Sequence, residues 1–320
     1  MKNKILIIGG SGFVGSFLID AIDYEDEVVN FDKKISQLHS NITIIGNILD
    51  KASIDLVMKD VKLVILLAAE HKDNVKPVKL YYDVNVKGTQ NVLESMSDFN
   101  IKNIIFTSSV AVYGINKNFP NEESKLDPFN HYGKSKFQAE ELIKEWTVKD
   151  PNRSGIIIRP TVIFGPRNRG NLYNLLEKIV TKKFVMIGAG KNKKSIAYVE
   201  NVVSFIEYLM KKQTKGIIIY NYCDKPDLDM NQLVLTIRKI SGFDRNFLRI
   251  PFWLGMIIGY TFDFFSIIFR KNFSISSVRV KKFCAKTNYN SKKLHSEFSP
   301  PYPIEEALRK TVSSEFIIKN

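Results

Sequence analysis

The sequence predicts an α/β protein, a doubly wound parallel sheet with a smaller lobe toward the C-terminus. Three observations predict it. Short apolar runs alternate with helical stretches over the first 115 residues, a glycine-rich turn joins the first run to an apolar helix start, and regularity falls away after about residue 165. The runs lie at residues 4–8, 27–31, 42–45, 63–68 and 103–106, with two more at 155–158 and 216–220. Apolar runs of strand length, separated by helices, suit a parallel sheet covered on both faces.

Composition agrees. The chain has 320 residues, 44% apolar and 25% charged, enough to bury a substantial core as one large domain or two fused lobes. The first apolar run breaks at Gly9-Gly10 after four apolar residues, short of the ~7–15 of a signal core, so it reads as a strand. Cys223 and Cys284 are too few for a disulfide framework, which favours the cytosol. His39, His71, His131 and His295 show no metal-ligand spacing, so no metal is expected. The net charge is +14, and residues 238–320 hold 15 Lys and Arg against 6 Asp and Glu. A basic region suits nucleic acid, an anionic membrane surface, a phosphorylated substrate or a solvated face, and charge alone does not choose.

The turn reads Gly9-Gly10-Ser11-Gly12-Phe13-Val14-Gly15 and leads into Phe17-Leu18-Ile19. Glycines between a strand and a helix allow a tight turn, close backbone approach to a pyrophosphate, and helix-to-strand packing. The helix N-terminus then faces the phosphates. Asp32 ends the second run, seventeen residues beyond Gly15. A carboxylate there accepts both adenosine ribose hydroxyls and repels a 2′-phosphate, which points to NAD over NADP. Lys33 and Lys34 work the other way, since either could pair with a phosphate.

Tyr132-Gly133-Lys134-Ser135-Lys136 opens a helix expected to run through Trp146. Tyr132 and Lys136 are four apart and share a helical face. A tyrosine with a pKa near ~10 is a poor base at neutral pH, and an adjacent ammonium favours its phenolate. The run at 103–106 ends in Thr107-Ser108-Ser109, at the carboxyl edge where parallel sheets bind ligands. Ser109 is the hydroxyl expected against the reacting oxygen, with Ser108 beside the substrate.

Taken together, these residues resemble the extended short-chain dehydrogenase/reductase superfamily, in its nucleotide-sugar epimerase and dehydratase branch. The resemblance extends to Leu67-Ala68-Ala69, to Asn85-Val86-Lys87-Gly88-Thr89-Gln90-Asn91, to Arg159-Pro160-Thr161-Val162-Ile163-Phe164-Gly165-Pro166 and to Ala197-Tyr198-Val199-Glu200-Asn201-Val202. It implies a Rossmann-type cofactor unit at 1–165, with sheet elements returning at about 195–225. Residues 166–320 would form mainly the substrate lobe. It implies Tyr132 as base, Lys136 as its partner and Ser109 as the polarising hydroxyl. Gly9, Gly12, Phe13, Val14, Gly15, Asp32, Asn47, Ile48, Leu67, Ala68, Ala69, Asn85 and Pro160 would line NAD, together with Tyr132 and Lys136. Gly46-Asn47 departs from the family's Gly-Asp near adenine. Lys194 replaces an arginine that grips a diphosphate, keeping the charge and losing the fork; Arg167, Arg169, Lys191 and Lys193 could join it. The family's dimers pair the helices carrying Asn85 and Tyr132, which implies a homodimer.

A narrower resemblance, to epimerases of polyprenyl-linked amino sugars, rests on Ala68-Ala69-Glu70-His71, on 80–85, on 221–228 and on 276–284. It implies GlcNAc/GalNAc interconversion at C4 on undecaprenyl diphosphate, at the cytoplasmic face of the inner membrane, before O-antigen assembly. The stretch 252–269 is dominated by Phe, Ile, Leu and Trp and is bounded by Arg249 and Arg270-Lys271. On a helix, Gly255, Gly259, Asp263, Ser266 and Arg270 form one small, polar face. A central aspartate argues against a spanning helix and for one lying at the membrane interface, small face inward. The competing reading is a helix completing the lobe's core or a dimer interface. Three alternative functions stand beside the main one: a soluble nucleotide-sugar 4-epimerase, a 4,6-dehydratase, and a non-enzymatic NAD-sensing or RNA-binding protein. The dehydratase is disfavoured because its relatives place Asp-Glu where Ser108-Ser109 stand. No nucleic-acid partner is expected.

Overall fold

Along the first strand, β1 (Lys4–Ile8), Leu6 and Ile8 enter one apolar core and Ile5 and Ile7 another. The unbroken apolar run is therefore what a strand buried on both faces requires. The protein is seen in a computed structural model that describes residues 3–317 apart from 23–25, 73–74, 116, 244–246, 270–272 and 274–275. Strands β2 (Glu27–Asp32), β3 (Thr43–Ile45), β4 (Val61–Leu66), β5 (Asn103–Thr107), β6 (Ser154–Pro160) and β7 (Gly216–Tyr222) pair with it in a single parallel sheet. Their order is β7-β6-β5-β4-β1-β2-β3, a doubly wound, Rossmann-like sheet. The strand expected at 63–68 stops at Leu66 because the amides of Leu67 and Ala68 both turn onto the Ile8 carbonyl, at 2.9 and 2.8 Å. That turn opens the crevice between β1 and β4, where the strand order reverses.

Helices cover both faces. Helices α1 (Phe13–Ala21) and α4 (Val199–Lys211) lie over the Ile5/Ile7 face, with Leu18, Val202 and Ile206 fully buried there. Helices α2 (Gly88–Asp98) and α3 (His131–Val148) cover the other, contributing Val92, Met96, Ile143 and Trp146. Each such side chain stabilises the fold by roughly 1.5–3 kcal/mol through burial. Beyond β6 the chain forms short two-stranded pieces, pairing 162–164 with 196–198, 185–187 with 248–250, and 193–194 with 228–229.

The apolar stretch forms helix α5 (Phe252–Phe269), which packs on α6 (Ser277–Cys284). Of its 18 residues only Gly255 and Gly259 are buried. A Cβ on Gly259 would stand 2.8 Å from the Ser277 backbone, and Asp263 accepts the Ser277 N–H at 3.2 Å. The small face thus points inward, while Trp253, Ile257, Phe264 and Ile267 point out, each more than half exposed. Core completion is therefore not its role within this chain: the large side chains face away. Arg270 and Lys271, expected to bound the helix, lie outside the described residues.

Because Gly259 meets backbone rather than a movable side chain, Gly259→Leu should force α5 from α6. The expected cost is about 1–3 kcal/mol in denaturant unfolding, against no more than about 0.5 kcal/mol for Ile257→Ala on the exposed face.

Candidate active site

The turn after β1 is shaped by what a side chain would collide with. Gly9 has φ +92°, and a Cβ there would sit 2.5 Å from the Ala68 amide; one on Gly15 would sit 2.4 Å from the Gly10 Cα. Gly12 caps α1 without a side chain, so the first-turn N–H groups point outward with the positive end of the helix dipole. At the end of β2, Asp32 accepts the Ser11 N–H and the Lys34 N–H, each at 3.1 Å and on different oxygens. Each oxygen keeps a further lone pair for a hydroxyl. This cradle suits a dinucleotide: bare amides for the pyrophosphate, a fixed carboxylate for the ribose. Phe13, Val14, Leu67, Ala68 and Ala69 stand half-buried around it, and Ile48 and Pro160 are buried. Asn47 is exposed and its Oδ1 accepts the Leu49 N–H at 3.0 Å, which leaves one lone pair for adenine.

Asn85 lies on a π-helical turn (Asp83–Lys87) and is 1% exposed. Its amide bonds both the N–H and the carbonyl of Glu70 (2.8 and 3.0 Å) and donates to Ser135 Oγ at 2.9 Å. Ser135 in turn donates to the Tyr132 carbonyl at 2.8 Å. Instead of reaching for a cofactor, the Asn85 side chain fixes the loop after β4 to the first turn of α3.

That first turn is capped by Asn130, whose Oδ1 accepts the Gly133 N–H at 2.8 Å. A Cβ on Gly133 would approach the Ala111 carbonyl to 2.6 Å, so the glycine lets the turn after β5 close on the helix. The result places the Ser109 hydroxyl within hydrogen-bonding reach of the Tyr132 phenol, with Tyr81 beside the same ring at 6.4 Å between centroids. Lys136 is 1% exposed and its ammonium lies 4.1 Å from the centre of the Phe106 ring. Burial pushes the Tyr132 phenol above its ordinary value, opposed by the Ser109 hydrogen bond and reinforced by Tyr81. Burial also pushes the Lys136 ammonium down to about 7, opposed by the Glu140 carboxylate. The lowering of Tyr132 by Lys136 that the sequence led one to expect is not among the influences on the phenol in this arrangement, where desolvation dominates.

Several expected substrate contacts are turned elsewhere. Ser108, just beyond the end of β5, is buried and donates to Glu140 Oε1 on α3 at 2.5 Å. Glu140 also takes two bonds from Arg159, Nε to Oε1 at 2.9 Å and Nη2 to Oε2 at 2.6 Å. Arg159 Nη1 continues to the Tyr113 hydroxyl at 2.7 Å, and Tyr113 donates to Asn221 at 2.7 Å. Lys194 is engaged by backbone carbonyls of its own chain. Its ammonium caps the end of α6 through the carbonyls of Lys282 and Ala285 (3.1 and 2.6 Å), and burial pushes it down to about 8. Arg169 pairs with Glu315 at 2.7 Å; Arg167 has φ +69°, an N–H held by Glu315 and a guanidinium over Phe17. Both arginines stay about half exposed beside α1. Among the described residues, no group of three or more His, Cys, Asp or Glu is placed to hold a metal ion. Glu140 was missed in the sequence, although its spacing of four from Lys136 puts it on the same face as the pair.

Comparisons with known proteins point one way. Residues 5–223 match the NAD dependent epimerase/dehydratase family. The chain is 51% identical over 319 residues, 99% of its length and 96% of the relative's, to N-acetyl-alpha-D-glucosaminyl-diphospho-ditrans,octacis-undecaprenol 4-epimerase of Escherichia coli O157:H7. It is 25% identical to a UDP-glucose 4-epimerase of Vibrio cholerae, covering 84% of this chain and 85% of that one. In fold it is similar to the UDP-N-acetylglucosamine 4-epimerase of Methanobrevibacter ruminantium M1, solved with UDP-N-acetylmuramic acid, with a TM-score of 0.78 at 22% identity and 98% coverage of each chain.

The buried ammonium has a signature in stability. With a folded value near 7 against an ordinary 10.5, the native state resists holding that proton, so the penalty is full below pH 7 and fades as pH rises to about 10.5. In cofactor-free protein, Lys136→Met should raise Tm most at pH 6, by several degrees, and the gain should vanish by about pH 10. A gain that does not change with pH would contradict a charged, desolvated lysine.

Proposed function

This chain belongs to the NAD-dependent epimerase/dehydratase family, and within it we propose that it interconverts GlcNAc and GalNAc at C4 while they are linked to undecaprenyl diphosphate. The observation that carries the reading is the hydrogen-bonding reach of Ser109 to Tyr132, with Lys136 one turn along the same helix, in a chain that also carries the glycine cradle and Asp32. The near-full-length likeness to a lipid-linked-sugar 4-epimerase supports the substrate. In this reading residues 1–165, with the returning strand β7, hold the cofactor, and 166–320 hold mainly the substrate.

When bound, NAD supplies reversible hydride acceptance at a sugar carbon. The residues do the rest. Asp32 would hold the adenosine ribose, the amides of the turn would hold the pyrophosphate, and Lys136 would hold the nicotinamide ribose. The Ser109 hydroxyl positions the substrate's O4, and Tyr132, as phenolate, accepts its proton while C4 becomes a ketone. The Lys136 ammonium provides the countercharge that burial makes necessary, since the phenol is otherwise held up. After the 4-keto sugar turns over in the pocket, Tyr132 returns the proton to O4 of the opposite epimer. No reductant is consumed.

The outward face of α5 supports a peripheral place at the cytoplasmic side of the inner membrane. Its large aromatic and aliphatic side chains are exposed, and Arg249, Lys281 and Lys282 lie nearby in the chain to meet lipid phosphates. A homodimer pairing α2 and α3 belongs to the same proposal.

Tyr132→Phe should lower kcat about 10²–10⁴-fold with the fold intact, the range for removing a general base. Purified enzyme should invert C4 of undecaprenyl-diphosphate-GlcNAc far faster than that of UDP-GlcNAc; comparable rates would make it a nucleotide-sugar epimerase. In flotation, wild type should rise with vesicles containing anionic lipid, and Trp253→Asp/Phe264→Asp should stay at the bottom while keeping its circular dichroism spectrum.

A further inference from the structure

Tyr132, Lys136 and Glu140 follow one another at intervals of four along α3, so they stack on one face of the helix. Glu140 is fully buried, and Lys136, one turn before it, is 1% exposed. The carboxylate cannot drift, because both oxygens are gripped by Arg159 from β6 and one also by Ser108 just after β5. Around Lys136 and Glu140 stand Phe106 on β5, Ser108 just after it, Tyr113 in the following turn, Arg159 on β6, Tyr132 on α3, and Tyr81 against the Tyr132 ring. Glu122 reaches this group through its carbonyl, which Arg159 bonds at 3.3 Å, while its carboxylate accepts the Asn221 N–H. Glu140 is therefore the carboxylate one helical turn from the lysine within the same buried layer, and the one whose charge acts on it.

Resting on the reading of Tyr132 and Lys136 as the reacting pair, we propose that Glu140 is a positioning residue: its fixed carboxylate holds the proton on Lys136 and thereby keeps the pair in the phenolate–ammonium form. A buried lysine without that countercharge would hand its proton back to the phenol, or lose it to solvent. The direction of the lysine's shift agrees, since Glu140 raises what burial lowers. Arg159 and Ser108 hold the carboxylate in place, so its charge acts on the ammonium from a fixed position.

The test is the pH dependence of kcat. The acid limb reports the first proton lost from the pair, a macroscopic value. Glu140→Gln removes the charge and keeps the shape, but it leaves Arg159 unpaired. Glu140→Leu/Arg159→Met removes both charges, a replacement that buried ion pairs often tolerate. In whichever of these folds, the acid limb should move down by about one pH unit or more, as loss of a nearby opposite charge requires. The plateau of kcat should fall at least ~10-fold, because a smaller share of the singly protonated pair is phenolate. Glu140→Asp should leave the limb in place. A folded, charge-free variant whose limb stays at the wild-type pH overturns the proposal, as does failure of both to fold, which assigns the carboxylate to folding alone. Tyr132→Phe run in parallel separates the two readings. Retained turnover there removes the pair itself, whereas a dead Tyr132→Phe with an unmoved limb removes only the role of Glu140.

Discussion

The ion pair between Arg159 and Glu140 is the contact on which the rest of the site depends. It is bidentate and enclosed, with side-chain exposures of 1% and 0%. Desolvating two charges costs several kcal/mol per ion, and the attraction offsets that only when the remaining hydrogen-bonding capacity is filled. Here it is filled: Ser108 supplies a third bond to the carboxylate, and Tyr113 takes the guanidinium's other edge. Through these partners the pair fastens α3 to β5, β6 and, by way of Asn221, to β7. Tyr132 and Lys136 inherit their rigidity from this anchorage, helped by Asn85 and Ser135 at the other end of the helix turn.

Rigidity of this kind is spent on function. A lysine held near 7 opposes folding at neutral pH, whereas the raised tyrosine does so only where an unfolded phenol would ionise, at about pH 10 and above. The opposition is tolerated because strands buried on both faces supply a large apolar surplus. The strain sits where chemistry needs it, at the carboxyl edge of the sheet, and the stability comes from Ile5, Ile7, Leu6 and Ile8 and their neighbours beneath.

What the sequence disclosed, it disclosed through local periodicity. Unbroken apolar runs located the strands, the Gly9–Gly15 spacing located the turn, and the interval from Tyr132 to Lys136 located their common face. What stayed hidden was decided by partners far away in the chain. Ser108 and Ser109 are adjacent and alike, yet the alternation of a strand sends one to Glu140 and the other to Tyr132. Lys194 has the charge for a diphosphate, but the end of α6, some ninety residues later, presents carbonyls to it first. Arg169 meets Glu315 from the last helical turn. The inward face of α5 was legible because Gly255, Gly259 and Asp263 recur at intervals of four.

Strand β7 carries a consequence for biosynthesis. It closes the sheet beside β6, yet it is made more than fifty residues later. Until the ribosome has released residues 216–222, the edge formed by Ile156, Ile157 and Ile158 has no neighbour, and an unpaired apolar edge is a template for aggregation. The glycine cradle, the Tyr132 helix and most of the sheet can be assembled on the nascent chain before then. They remain an open-edged intermediate, and the partner of Tyr113 on Asn221 is missing. Completion of the seven-stranded sheet therefore waits on residues made later, and the chain matures as a unit, with its last sheet strand as the closing step.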